Sequence, residues 1–273
     1  MNYRILLFAL SFALLTGCVN TAEKSADDMA DFADDPEFKE AHDDPRAAAA
    51  DYSGEMIDIP VEGGDVGSAY ALMAESESDE YLLVFHEWWG LNDNIKEEAE
   101  RLYGALDNVN VLALDLYDGK VATNPDQAGK IMQSIKEERA RAIIQGALTM
   151  AGPEAEISTI GWCFGGGWSL KASIMAKDRG QACVMYYGMP VQKADQLAPL
   201  EAPILGIFAE KDGWITPEVA NDFKALAEAT GKSIEIRQFE ADHAFANPSN
   251  PAYNESAAQE ANALALAFLK EHM

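Results

Sequence analysis

The sequence has 273 residues with 46 Asp and Glu against 20 Lys and Arg, a formal net charge of −26 and a pI near 4.3. Phosphate binding needs clustered Lys and Arg, so this balance excludes nucleic acid as a partner. An anionic small molecule would need a local basic pocket against the same field. The three cysteines are Cys18, Cys163 and Cys183.

The chain opens on Met1-Asn2-Tyr3-Arg4, an apolar run from Ile5 to Leu15, and Leu15-Thr16-Gly17-Cys18. A short basic start, an apolar run of this length and small residues at the cut form a secretory signal. The last four residues resemble a bacterial lipobox. They imply a signal peptide over 1–17, lipid on the thiol of Cys18, and attachment to the bacterial envelope, on its periplasmic face, without a membrane span. Residues 18–51 are rich in Asp, Glu and Ala and are expected to be a disordered acidic tether, with His42 solvated. Residues 52–273 are of single-domain size and show no internal repeat.

Within that domain, short apolar runs alternate with helical patterns, which predicts an α/β fold with a mostly parallel sheet covered by helices on both faces. Residues 55–61 and 68–74 read as an opening hairpin, and Tyr81 to His86 as a buried strand. Asn92 to Leu106 reads as an amphipathic helix with Asn92 or Asp93 as its cap. A strand follows over 109–116, then one long or two shorter helices between Asn124 and Met150. Strands are expected over 156–162, 183–187, 203–209 and 233–239. Helices are expected over 165–176, 217–230 and 254–272, with Pro217 in a first turn and Gly231 just past an end.

The segment Gly161-Trp162-Cys163-Phe164-Gly165 has the form of a nucleophile elbow, G-x-nucleophile-x-G, with cysteine as the nucleophile. Small residues let strand and helix approach closely around a sharp turn, and the turn sets Cys163 at a helix N-terminus, which favours thiolate. In such folds the acid and the base follow the nucleophile in the chain. His243, after the last strand, is the candidate base. Among the carboxylates Glu210, Asp212 and Asp242, Asp212 is favoured because it lies in the turn between strand and helix. Cys163 and Cys183, on successive parallel strands, are expected to be too far apart to pair, with Cys183 an inert core residue.

Over residues 52–273 the chain resembles the dienelactone hydrolase family. The carrying motifs are Phe85-His86-Glu87-Trp88-Trp89-Gly90-Leu91, Asp115-Leu116-Tyr117, the Cys163 elbow, Asp212 in its turn and His243-Ala244-Phe245. The resemblance implies an α/β-hydrolase fold, a Cys163–His243–Asp212 triad, and a Glu87 carboxyl that contacts the resting thiol. It also implies an oxyanion hole from the backbone N–H groups of Trp88 and Phe164, as the general rule for the residue after the nucleophile requires. His86 is given a structural part. The implied activity is hydrolysis of a small ester or lactone through a Cys163 thioester, with no cofactor and no metal. The alternative is a non-catalytic binding lipoprotein on the same fold; a thiol redox lipoprotein ranks lower, because there is no C-x-x-C. Two arginines that grip the substrate carboxylate in the family's type enzyme fall here near Pro125 and at Asn247. Lys120 or Lys130 would be poor substitutes for a bidentate guanidinium. Trp89, Trp162 and Trp214, with Asn247, are candidate pocket walls, as are Trp88 and Trp168; each tryptophan is equally explained as packing.

Overall fold

The computed structural model describes residues 29–42 and 52–273. Eight strands form one sheet: β1 (Glu55–Ile59), β2 (Gly67–Leu72), β3 (Glu80–Phe85), β4 (Asn110–Asp115), β5 (Glu156–Trp162), β6 (Gly180–Tyr186), β7 (Ile204–Ala209) and β8 (Ile234–Phe239), in the order β1-β2-β4-β3-β5-β6-β7-β8. β2 pairs antiparallel with β1 and β4, and the other neighbours are parallel. The interior strands β4 and β7 are buried at every position, as expected where helices cover both faces. At the edge, β8 alternates between half-buried and exposed positions up to Phe239.

The helices of the domain are α2 (Asp93–Ala105), α3 (Pro125–Ser134), α4 (Glu137–Ala151), α5 (Phe164–Ala176), the short α6 (Ala194–Leu197), α7 (Pro217–Ala229) and α8 (Glu255–His272). Asn92 caps α2 by accepting from the Ile95 N–H at 3.2 Å. The stretch between Asn124 and Met150 resolves into two helices, because Ile135 and Lys136 are extended. The chain runs from β3 to β4 on one side and later to β5 on the other. Such a switch point leaves a crevice at the strand C-termini, where α/β sheets carry ligands.

The expected tether needs correcting over 29–42. Residues Met29–Phe32 form a 3-10 turn and Pro36–Glu40 form α1, capped by Asp35, whose Oδ1 accepts from the N–H groups of Glu37 and Phe38 at 2.8 and 3.3 Å. Met29, Ala33, Phe38 and His42 are all buried. Mean composition, dominated by acids, hid a few apolar side chains placed to meet one surface. The expected signal peptide over 1–17, lipidated Cys18 and the rest of the tether (18–28 and 43–51) lie outside the described residues. Among the described residues no helix is long and apolar enough to cross a membrane.

Candidate active site

Cys163 sits between β5 and α5 with φ +55° and ψ −119°, a conformation that side-chain-bearing residues rarely adopt and that costs of order 1–3 kcal/mol. The surroundings enforce it. The Cys163 N–H donates to the Tyr186 carbonyl at 3.0 Å, and the Cys163 carbonyl accepts from Gly166 at 2.9 Å. A side chain at Gly161 would run into the Gly165 carbonyl, and one at Gly165 into the carbonyls of Phe85 and His86. The glycines of the motif are therefore required by close approach of strand, helix and the neighbouring β3 end.

The turn after β7 carries Asp212, and the turn after β8 carries His243. Asp212 Oδ1 accepts from the N–H groups of Trp214 and Ile215, both at 2.9 Å. That fixes the carboxyl so that Oδ2 meets His243 Nδ1 at 2.6 Å. Asp212 is 3% exposed and His243 2% exposed, whereas the competing carboxylates Glu210 and Asp242 both face solvent. Burial opposes charge on the imidazole, but the charges of Asp212 and Cys163 overcome it and hold His243 well above its ordinary pKa. His243 Nε2 has no partner at standard hydrogen-bond geometry, yet the Cys163 sulfur is near enough for charge and a looser side-chain hydrogen bond to act on the ring. Such bonds often tighten only when substrate is bound.

Glu87 and Trp88 follow β3, whose Phe85 pairs with Gly161 of β5, so both motifs emerge side by side. Glu87 Oε2 accepts from the Asn247 amide, and its Oε1 is buried without a partner. Burial pushes this carboxyl up to about 7, against the pull of the Asn247 amide and the His243 charge. Asn247 is thus a neutral partner of Glu87. Its Oδ1 accepts from Ser249 N–H and Oγ at 2.8 and 2.7 Å. Lys120 and Lys130 are both exposed. Among the described residues no acceptor engages the backbone N–H of Trp88 or Phe164. His86 is wholly buried; its Nδ1 donates to the Glu87 carbonyl at 2.6 Å and its Nε2 accepts from Leu116 N–H at 3.2 Å, tying β3 to the end of β4. Cys183 is a free, fully buried thiol pushed up to about 11 by burial, and Cys163 is also unpaired.

The predicted pocket residues divide. Trp214 stands edge-on to His243 with ring centres 5.9 Å apart, and Trp89 packs on Trp88 at 4.9 Å. Trp162 packs on Tyr186 at 5.5 Å and, with Glu87, Asn94, Glu98 and Asn247, lines a cleft of about 70 Å³. Trp168 packs on Phe164 with Lys171 over its ring at 4.6 Å. Sequence reasoning missed three residues. Tyr187, after β6, is buried with its ring 5.1 Å from His243 and its hydroxyl unpartnered. Phe38 and His42, from the supposed tether, each lie 5.7 Å from the His243 ring. No motif marked any of them, although two phenylalanines, Phe32 and Phe38, and one histidine in an acidic, apolar-poor stretch were the available signal.

The family model for the dienelactone hydrolase family matches residues 68–273. "Protein usf" of Aquifex pyrophilus is 31% identical over 206 residues, covering 70% of this chain and 88% of its own length. "Carboxymethylenebutenolidase 1" of Cupriavidus pinatubonensis is 24% identical over 229 residues, covering 78% and 95%. Among solved structures, a dienelactone hydrolase-like promiscuous phosphotriesterase from metagenomic libraries superposes with a TM-score of 0.70 at 20% identity, over 82% of this chain and 99% of that one. That last likeness speaks for the fold, an α/β-hydrolase sheet, and the family match spans the elbow, the Asp212 turn and the His243 turn together. On the model match and the Aquifex relative, the chain belongs to the dienelactone hydrolase family.

Proposed function

We propose that this hydrolase cleaves small, uncharged esters or lactones by acyl transfer to Cys163. The observation that carries the reading is the buried Asp212–His243 bond at 2.6 Å, with the free edge of the imidazole beside a cysteine held in the elbow conformation. Its physical logic is that a carboxylate fixed by two backbone N–H groups stabilises an imidazolium, and an imidazolium stabilises a neighbouring thiolate. The Cys163 thiolate attacks the carbonyl carbon, and the N–H groups of Trp88 and Phe164 hold the oxyanion. Collapse breaks the ester C–O bond, and the departing alkoxide takes the proton of His243. Neutral His243 then takes a proton from water as its oxygen attacks the thioester. The second collapse returns the thiolate and leaves the acid. Glu87 is read as the group that tunes the resting thiol.

A preference for uncharged substrates follows from Asn247 and the exposed Lys120 and Lys130, since none of these positions offers a buried Lys or Arg to hold a substrate carboxylate. "Carboxymethylenebutenolidase", the name of the Cupriavidus relative, fits the reaction type. Attachment of the domain to the bacterial envelope through Cys18 belongs to the same proposal and rests on the N-terminal motif alone. The test is p-nitrophenyl acetate hydrolysis by the full chain beside Cys163→Ala. Loss of the nucleophile is expected to lower kcat by about 10³-fold or more, and mass spectrometry of quenched wild-type enzyme should find the acyl group on the Cys163 peptide. Equal rates in the two proteins would end the catalytic claim.

A further inference from the structure

Cys163 is 1% exposed and His243 2% exposed, so the site just described is closed. Much of what covers it is residues 29–42 of the same chain. Phe38 stands edge-on between Trp88 and Trp214, with ring centres 4.9 and 5.0 Å away, and directly neighbours His243. His42 lies beside it, 4.7 Å from Trp88 and 6.4 Å from Trp89. Its Nδ1 donates to the Phe38 carbonyl at 2.6 Å, and its Nε2 is buried without a partner. Two flat rings therefore fill a box whose walls are Trp88, Trp89, Trp214 and His243.

The way this segment is held differs from everything else around the site. Every backbone hydrogen bond of residues 29–42 among the described residues stays inside the segment. No strand of it joins the sheet. Its polar ties to the domain include three side-chain contacts: Lys39 with Asp126 at 2.9 Å, Gln133 with Asp34 at 2.8 Å, and Trp214 Nε1 with Asp35 at 3.3 Å. A surface ion pair such as Lys39–Asp126 holds only weakly. The rest of the docking is apolar, with Ala33 seated on Gly129, where a side chain would approach the Ala33 carbonyl at 2.6 Å. A cover attached in this way can leave without disturbing the sheet.

Granted the catalytic reading above, we infer that the box over His243 is the binding site for an uncharged aromatic ring of the substrate, and that residues 29–42 are a tethered competitor for it, with Phe38 in the place of that ring. The box has aromatic faces to stack on and no Lys or Arg, which suits a neutral ring. The one cation of the segment, Lys39, points away to Asp126. Substrate and Phe38 exclude one another, so apparent affinity is lowered by the fraction of time the segment is docked.

The experiment uses the full chain as wild type, Phe38→Ala and Asp35→Ala; the second removes the α1 cap and the Trp214 contact from a solvent-facing position. Two rates are measured: carbamidomethylation of Cys163 by iodoacetamide, located by mass spectrometry, and hydrolysis of phenyl acetate. Both variants should alkylate at least about tenfold faster, as expected if the open form is a tenth or less of wild type. Their KM for phenyl acetate should fall in proportion, and benzamide should slow alkylation of the variants while acetamide does not. Unchanged rates in both variants overturn the inference. So does faster alkylation with slower hydrolysis, which would make the segment a wall the substrate needs. Alkylation reads the cover even where no hydrolysis is found, so retention of activity in Cys163→Ala would remove the catalytic reading and leave this test standing.

Discussion

Two regions of the molecule meet at His243, and they are built in opposite ways. The elbow, the Asp212 turn and the His243 turn each leave the end of a parallel strand, so the sheet fixes where they point. Residues 29–42 reach the same place with, among the described residues, no backbone bond to that sheet. The first kind of region holds a geometry that chemistry requires; the second has a position that depends on a few side chains and can change. The comparison teaches that burial alone does not distinguish framework from cover: Phe38 and Phe245 are both fully buried, and both are aromatic neighbours of the same cluster.

The largest expected effect falls on the framework side. Cys163→Ala is joined there by Asp212→Asn, which leaves the geometry but loses the charge that orients and stabilises the imidazolium. By analogy with Ser-His-Asp triads kcat should fall by about 10³–10⁴-fold; a rate within tenfold of wild type would separate Asp212 from the chemistry. Next comes a direct contrast of the two phenylalanines in chemical denaturation. Phe245→Ala should destabilise by about 3–5 kcal/mol, the usual range for a core phenylalanine. Phe38→Ala should cost only the docking free energy, about 1.4 kcal/mol for a tenfold opening, because the segment can undock and so caps the loss. Equal costs would place both residues in one cooperative unit.

Glu87 sharpens the framework side further. Burial raises its folded-state pKa from 4.5 to about 7. Over that window the folded protein keeps a proton that the unfolded chain releases. The stability contributed by the neutral acid is therefore full below 4.5 and is lost as pH rises through 7. Glu87→Gln should exceed wild type in stability by about 3 kcal/mol at pH 8, from a shift of that size, and converge with it near pH 4.5. A difference independent of pH would show that the carboxyl is not desolvated as described. The smallest effect belongs to the cover: Lys39→Ala, removing an exposed ion pair with Asp126, should change stability by about 0.2–1 kcal/mol and raise the Cys163 alkylation rate only a few-fold.

How much of this was legible in the sequence follows the same division. The interior strands were readable because their runs are mainly apolar, the edge strand β8 because its apolar residues alternate, and β5 begins and ends at the residues the pattern indicated. The elbow was readable because close approach excludes any side chain at Gly161 and Gly165, leaving a local imprint in the residue types. Asp212 was readable over Glu210 and Asp242 from its place in a turn. Residues 29–42 were not readable, because what orders them is a surface made by Trp88, Trp214 and Gly129, distant in the chain. Tyr187 went unnoticed for a related reason: its φ of +33° and its place beside His243 come from the end of β6 meeting β7, not from a motif of its own.

The register of β5 and β6 has a last consequence. Thr159 pairs with Cys183, which sets the second thiol four positions back from Cys163, on the order of 10 Å away within the sheet. A peroxide reaching Cys163 would produce a sulfenic acid with no resolving cysteine in reach among the described residues, and further oxidation from there is irreversible. Shielding of that sulfur, rather than repair, would then decide how long one molecule lasts in an oxidising medium.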